Sequence, residues 1–299
     1  MSETKVTFVK PPEYGRPNSI EDASNKYFIH PLSELVVEIG IALKLSPNII
    51  SFMGMGCGFL AAYLYYYLPQ TPYVIGGFLA MIGWHVFDGA DGKLARATGK
   101  TSAFGRIIDG ICDHVVFSVV YISLALHLVE TGYSPNVWWL VIGAGISHAV
   151  QAAGYEERRQ KYQRRIEGLH RTSVQDKLLH INGKKSFLAS LYDKAQKLVA
   201  GADHGLDCKL MELSETQWGK GVAGAVIMRT IPMVKAWALL NANNRTLLIF
   251  IFAFMGQPAL YFAVELILFN IIMLGLIIAE WQQEKTLIEY ANTFTAPPA

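Results

Sequence analysis

Charge is scarce in this chain of 299 residues: Asp, Glu, Lys and Arg together supply 17% of it, against 52% hydrophobic residues. A soluble domain normally carries about a quarter charged residues, so the deficit and the long apolar runs exclude an ordinary soluble core and indicate membrane composition. The charges that remain nearly cancel, to a net +2, so no whole-protein field favours nucleic acid as a partner. Cysteine is equally scarce. Cys57, Cys112 and Cys208 form no C-x-x-C pair and no disulfide framework, and Cys112 reads as a small packing residue. Residues 1–27 lack an apolar run and contain Pro11, Pro12 and Pro17, so no cleavable signal peptide is expected. There is no internal repeat and no low-complexity tract.

What is present is a succession of apolar segments. Residues 1–30 read as a polar leader. In 31–45, Leu32, Leu35, Val36, Ile39 and Leu43 recur at helical spacing, which predicts an amphipathic helix at the membrane surface or against a partner helix. Residues 46–155 carry four predicted transmembrane helices, about 48–68, from near Tyr73 to a stop at Gly99, from Ala103, capped by Thr101 or Ser102, to about Val129, and about 136–155. Residues 156–242 read as an insertion of amphipathic helices and loops, with a helix over Phe187–Val199 broken by Gly201 and Gly205; a second soluble domain is the alternative. Residues 243–299 supply two further spans, about 244–256 and 258–280. The expected fold is therefore an all-α integral membrane protein, a bundle of six transmembrane helices with a juxtamembrane amphipathic helix.

Orientation follows from the loops. The turn after the second helix holds Lys93, Arg96, Lys100 and Arg106, and the fourth helix runs into Arg158, Arg159, Lys161, Arg164 and Arg165. Both ends are expected in the cytoplasm. The turn at Glu130–Pro135 has no Lys or Arg and belongs on the far side.

The densest chemistry lies between Asp88 and Asp113, reading D-G-A-D-G-K-L-A-R, eight residues, then G-R-I-I-D-G-I-C-D. Asp88 and Asp91 are three apart and Asp109 and Asp113 four apart, so each pair shares a helix face within about 60° and 40°. Two facing helices would gather four carboxylates, which cannot all ionise without a cation between them. Two hard divalent ions, Mg²⁺ or Mn²⁺, would balance that charge and suit phosphoryl chemistry.

The pattern D-x-x-D-G-x-x-A-R-x8-G-x3-D-x3-D, met by Asp88, Asp91, Gly92, Ala95, Arg96, Gly105, Asp109 and Asp113, resembles the signature of the CDP-alcohol phosphotransferases. The resemblance implies that Asp88, Asp91, Asp109 and Asp113 ligate two divalent cations at the donor pyrophosphate and that Asp113 is the general base. Gly92, Ala95, Arg96 and Gly105 would line the nucleotide groove, Arg96 pairing with phosphates; helix packing alone is another reading of the two glycines. The donor would be CDP-diacylglycerol or another CDP-alcohol, the acceptor a polar hydroxyl compound, the product a phosphodiester in the membrane lipids, with CMP released and a homodimer expected. Transfer from a soluble CDP-alcohol to a lipid hydroxyl is the alternative. An Asp-rich prenyltransferase or a non-catalytic metal-binding membrane protein accounts for fewer of the eight positions.

Other residues keep two readings. Ser46-Pro47-Asn48 is a helix start or part of the nucleotide site. His148, Gln151 and Tyr155 form a polar face on the fourth helix, an acceptor contact or an interhelical network. The run Arg158–Arg165 grips a phosphorylated acceptor or only sets topology. His85 and His114 read as supporting or packing residues, and Glu265 as protonated or paired inside the bundle.

Overall fold

The computed structural model describes residues 19–101, 103–168, 180–181, 184–185, 205–214 and 219–294, without the side chains of 103, 104, 106–109, 180–181, 184–185, 219 and 220. The segment expected to be helical over Phe187–Val199 lies outside the described residues. Six helical stretches among those described are long and apolar enough to cross a membrane: Pro47–Tyr66, Thr71–Ala97, Gly110–Glu130, Val137–Glu167, Gly221–Phe254 and Pro258–Asn292. The chain is an all-α, multi-pass membrane protein, as its composition requires.

A π-helical turn, Asn25–Ile29, leads into α1, His30–Ala42. This helix buries Ser33 and Gly40 against α3, Thr71–Ala97. Its apolar stripe points the other way, with Leu35 54% and Leu43 66% exposed. Ser33 and Gly40 make the closest protein contact, Val36 and Val37 pack beside them on Ile50, Ala90 and Leu94, and Leu35 and Leu43 are left for lipid.

Helix α2, Pro47–Tyr66, starts where Ser46 Oγ accepts the Ile49 amide at 3.3 Å, so the Ser46-Pro47 pair is a helix cap. It packs against both α3 and α4, Ala103–Glu130. Glycine makes this approach possible: a Cβ at Gly58 would sit 2.7 Å from Val116 Cγ1, and one at Gly54 3.1 Å from Phe87 Cβ. The core between these helices includes Tyr65, Met81, Trp84, Val116, Val120 and Leu124.

Helix α5, Val137–Glu167, does not stop near residue 155. It continues through the basic run because acids neutralise each turn: Arg159 pairs with Glu156, Arg164 with Glu157 at 2.8 Å, Arg158 with Glu280 at 2.9 Å and Lys161 with Glu284 at 2.6 Å. About 20 residues suffice to cross the hydrocarbon, so this charged half stands beyond it.

A two-residue antiparallel pairing, β1 His180–Ile181 with β2 Lys184–Lys185, follows. Then come α6 Gly205–Ser214, α7 Gly219–Met228 and α8 Ile231–Trp237, a short 3₁₀ turn at Ala238–Leu240, and α9 Ala242–Phe254. Gly205, expected to break a helix, opens α6. The fifth apolar stretch, expected over 244–256, therefore begins 23 residues earlier, at Gly221, as a series of short helices. Finally α10, Pro258–Ala263, passes through a π-helical turn, Val264–Leu268, into α11, Phe269–Asn292. Leu206, Leu210, Val226, Tyr162, Leu287 and Ile20 share a second apolar core at the charged end, with Arg165 bridging Asp207 at 2.6 Å and Glu284 at 2.9 Å.

Burial raises the Asp207 carboxyl pKa, but Arg165, backed by Lys161 and Arg164, outweighs burial and holds it below its ordinary value of 3.8. A depressed carboxylate stabilises above its unfolded value and loses that contribution as pH falls through the folded one. Protease resistance of α6 in detergent should therefore be flat from neutrality down to about pH 4 and drop below it; Asp207→Asn should be weaker and flat, measured by pulse proteolysis. Gly58→Leu should lower the melting temperature by an amount equivalent to about 1–3 kcal/mol, from overpacking onto Val116. Adding Val116→Ala should recover much of the loss.

Candidate active site

The pattern residues occupy one end of two consecutive helices. Asp88, Asp91, Gly92, Ala95 and Arg96 lie on the last turns of α3, which ends at Ala97 with Thr98 as its C-cap, before Gly99 at φ +67°. Gly105, Asp109 and Asp113 lie on the first turns of α4. Asp91 is buried and accepts a short hydrogen bond from Ser51 Oγ on α2. Asp88 and Asp113 are half-buried, and Asp113 keeps its Oδ1 closed to solvent. The Asp109 side chain lies outside the described residues.

Beneath the carboxylates the helices are joined by aromatic rings. Trp84, four residues before Asp88, meets Phe117, four residues after Asp113, edge to face at 5.2 Å and 89°. The His148 ring of α5 meets Phe117 at 4.3 Å. The carboxylates thus stand above an apolar floor, one helical turn deep, that excludes water from below.

Gly92 has a specific neighbour. The three atoms that a Cβ there would meet first all belong to the Arg96 guanidinium, with Nη1 at 3.3 Å. Its lack of a side chain leaves room beside the Arg96 guanidinium. Arg96 is exposed, and Ala95 and Gly105 are half-buried.

Several other expectations are now located. His148 Nδ1 lies 3.0 Å from Tyr121 Oη, which lies 2.5 Å from Tyr261 Oη, and Tyr261 donates to Glu265 at 3.2 Å. Gln151 accepts from Arg245 at 2.7 Å and donates to Asn270 at 3.0 Å. The polar face of α5 is thus an interhelical network, and Glu265 is paired, with Arg245 Nε at 3.1 Å. His85 bonds Thr246 Oγ1 at 2.9 Å in the core, while His114 is exposed beside Gly110 O at 2.7 Å. The basic run Arg158–Arg165 is matched by the chain's own acids. Sequence reasoning missed Ser51, whose facing could not be read from composition, and Arg245, whose position at the start of an apolar stretch was the available signal.

Among the described residues no three His, Cys, Asp or Glu side chains converge on one metal position. The donor chemistry itself, all carboxylate oxygen with one oxygen held by a hydroxyl and another shut off from solvent, fits a hard divalent cation.

Comparison with known proteins locates this site within a larger similarity. The phosphatidylinositol phosphate synthase of Mycobacteroides abscessus is 28% identical over 123 residues, 41% of this chain and 47% of that protein. The archaetidylinositol phosphate synthase of Pyrococcus horikoshii is 33% identical over 85 residues, 28% of this chain and 43% of the relative. The bifunctional IPC transferase and DIPP synthase of Aquifex aeolicus is 33% identical over 102 residues, 34% of this chain and 23% of the relative. Each match thus spans less than half of the curated relative. Residues 44–172, from the end of α1 past the end of α5 and including the whole carboxylate pattern, match the sequence model named CDP-alcohol phosphatidyltransferase.

Proposed function

We propose that this protein is a membrane transferase that moves a phosphoalcohol group, foremost phosphatidyl, from a CDP-alcohol such as CDP-diacylglycerol to the hydroxyl of a polar acceptor, releasing CMP, in phospholipid synthesis. The observation that carries it is the placement of the aspartate pattern at one end of α3 and α4, above the Trp84–Phe117 floor and inside the matched residues 44–172. The side bearing Lys93, Arg96 and Lys100 is taken as cytoplasmic, where a nucleotide reaches the site from water and the lipid tails stay in the bilayer. A homodimer is part of the same reading.

Asp88, Asp91, Asp109 and Asp113 would hold two divalent cations, Mg²⁺ or Mn²⁺, which when bound neutralise the charge that grows on the departing phosphate. The chain's own groups do the rest. Arg96 pairs with donor phosphate oxygens over the space that Gly92 leaves open. Asp113 takes the proton of the acceptor hydroxyl as its oxygen attacks the phosphorus that carries the alcohol. The new P–O bond forms, the P–O bond to CMP breaks, and a phosphodiester remains. Ser51 holds Asp91 in one orientation throughout, and the aromatic floor keeps water from competing with the acceptor.

Two of the relatives are named as synthases of an inositol phosphate lipid, so inositol phosphate and inositol are the first acceptors to offer, followed by glycerol 3-phosphate and serine. In liposomes with Mn²⁺ and CDP-diacylglycerol, one acceptor should give CMP release that chelation abolishes. Asp113→Asn should lower that rate by about 10²–10⁴-fold. Metal-dependent CMP release with a soluble CDP-alcohol and a lipid hydroxyl alone would overturn the phosphatidyl assignment. Ser51→Ala should leave the fold intact and raise the Mn²⁺ concentration for half-maximal rate by about 10–100-fold, as loss of a ligand's supporting hydrogen bond does.

A further inference from the structure

We propose that residues 19–25 and the first turn of α9 form a seam that positions the α3 carboxylates, with Asn241 and Asn243 as its positioning residues. The proposal rests on the reading of Asp88 and Asp91 as metal ligands. Both sides of the seam lie outside the matched residues 44–172, yet both lead to the carboxylate turn of α3.

The seam is made of side chains from opposite ends of the chain. Asn241 Nδ2 donates to Asp22 Oδ2 at 2.6 Å, and Asn243 Nδ2 donates to Ser24 Oγ at 2.8 Å and Asn25 Oδ1 at 2.7 Å. Its outer end is fixed at the charged side of the protein, where Ile20 is buried in the second core and Ser19 Oγ lies 2.8 Å from Tyr162 Oη.

From the seam the chain runs directly onto α3. Glu21, its side chain 3% exposed, lies 3.6 Å from His30 Nε2. The His30 carbonyl accepts from Lys93 Nζ at 3.3 Å, and Glu34 pairs with the same ammonium at 3.6 Å. Ser33 Oγ reaches Val86 O at 2.9 Å, and the neighbouring Gly89 has no room for a Cβ, which would meet that hydroxyl at 2.8 Å. These contacts bracket Asp88 and Asp91 from residue 86 to residue 93.

The other arm is α9 itself. Thr246 bonds His85, one turn before Asp88, and Arg245 is locked to Glu265 and Gln151. Asp88 and Asp91 therefore sit on a stretch held from two sides by one anchored helix start, once directly through His85 and once through the seam and α1. Releasing the seam loosens the hold that reaches α3 through α1, leaving the carboxylate turn to His85 and to the Ser51 bond with Asp91, and metal sites are sensitive to displacements well under an ångström.

The test exchanges donor and acceptor across the seam. Asn241→Asp keeps the cap that Asn241 Oδ1 makes to the Asn244 amide at 2.8 Å but sets a carboxylate against Asp22. In purified protein, titrated with Mn²⁺ and read by electron paramagnetic resonance of the unbound ion, this variant should bind about two- to tenfold more weakly with unchanged stoichiometry. The exchanged pair, Asp22→Asn with Asn241→Asp, should return to within about twofold of the parent, and Asn243→Ala should weaken binding in the same direction without adding charge. A role limited to folding would reduce the number of sites and leave affinity alone. Parental affinity in Asn241→Asp, or an exchanged pair as weak as the single variant, would overturn the seam while leaving the metal site standing. A parent protein that binds no Mn²⁺ would instead overturn the reading of the aspartates, and the seam with it.

Discussion

A guanidinium and a carboxylate, both wholly shut off from solvent, meet in the middle of this bundle: Arg245 and Glu265. Neither charge has water to fall back on, and removal of one partner from such a pair costs about 3–5 kcal/mol. Each is therefore surrounded. Arg245 also donates to Gln151 and to the Leu240 carbonyl, and Glu265 accepts from Tyr261. The π-helical turn Val264–Leu268 contains Glu265, and the Glu265 carbonyl accepts from Gln151 at 3.4 Å. Helices α4, α5, α9 and α10 are tied together by this set of polar contacts, where apolar packing against lipid-like side chains would fix no unique arrangement.

The carboxylate end depends on a different constraint, close approach. Ser51, Gly54 and Gly58 stand at i, i+3 and i+7, on one face of α2. The two glycines let that face press onto Phe87 of α3 and Val116 of α4, and the same closeness brings the Ser51 hydroxyl to Asp91. Larger residues at 54 or 58 would lift α2 away, and the hydrogen bond would be lost before any ligand was touched. Packing and site chemistry are thus one feature of α2.

Much of this was legible in the sequence, for reasons that are local. Six apolar stretches follow from hydropathy, and the aspartate spacing follows from helical period. The helix start at Ser46-Pro47 and the stop at Gly99 obey capping chemistry. What could not be read depends on which distant residues meet. The basic run beyond Tyr155 looked like a helix terminus followed by a loop; it stays helical because Glu280 and Glu284, over a hundred residues later, face it. Ser51 gave no signal because a serine in an apolar helix has no preferred facing until the neighbour is known. The stripe on α1 was recognised as amphipathic, but its buried face proved to be the small one, Ser33 and Gly40.

Charge matching also bears on how the chain is divided. The matched residues 44–172 hold the whole aspartate pattern and the basic end of α5, but they do not contain the acids that neutralise most of that end. Asp207 comes from α6, and Glu280 and Glu284 from α11. Taken alone, 44–172 would leave Arg158, Lys161 and Arg165 without these partners, on a helix half that α8 and α11 partly cover. The later helices therefore complete the electrostatics of α5 as they bury it, and α5 in turn carries His148 to the floor of the site. The part of the chain that shows no catalytic pattern is thereby coupled, through one continuous helix, to the part that does.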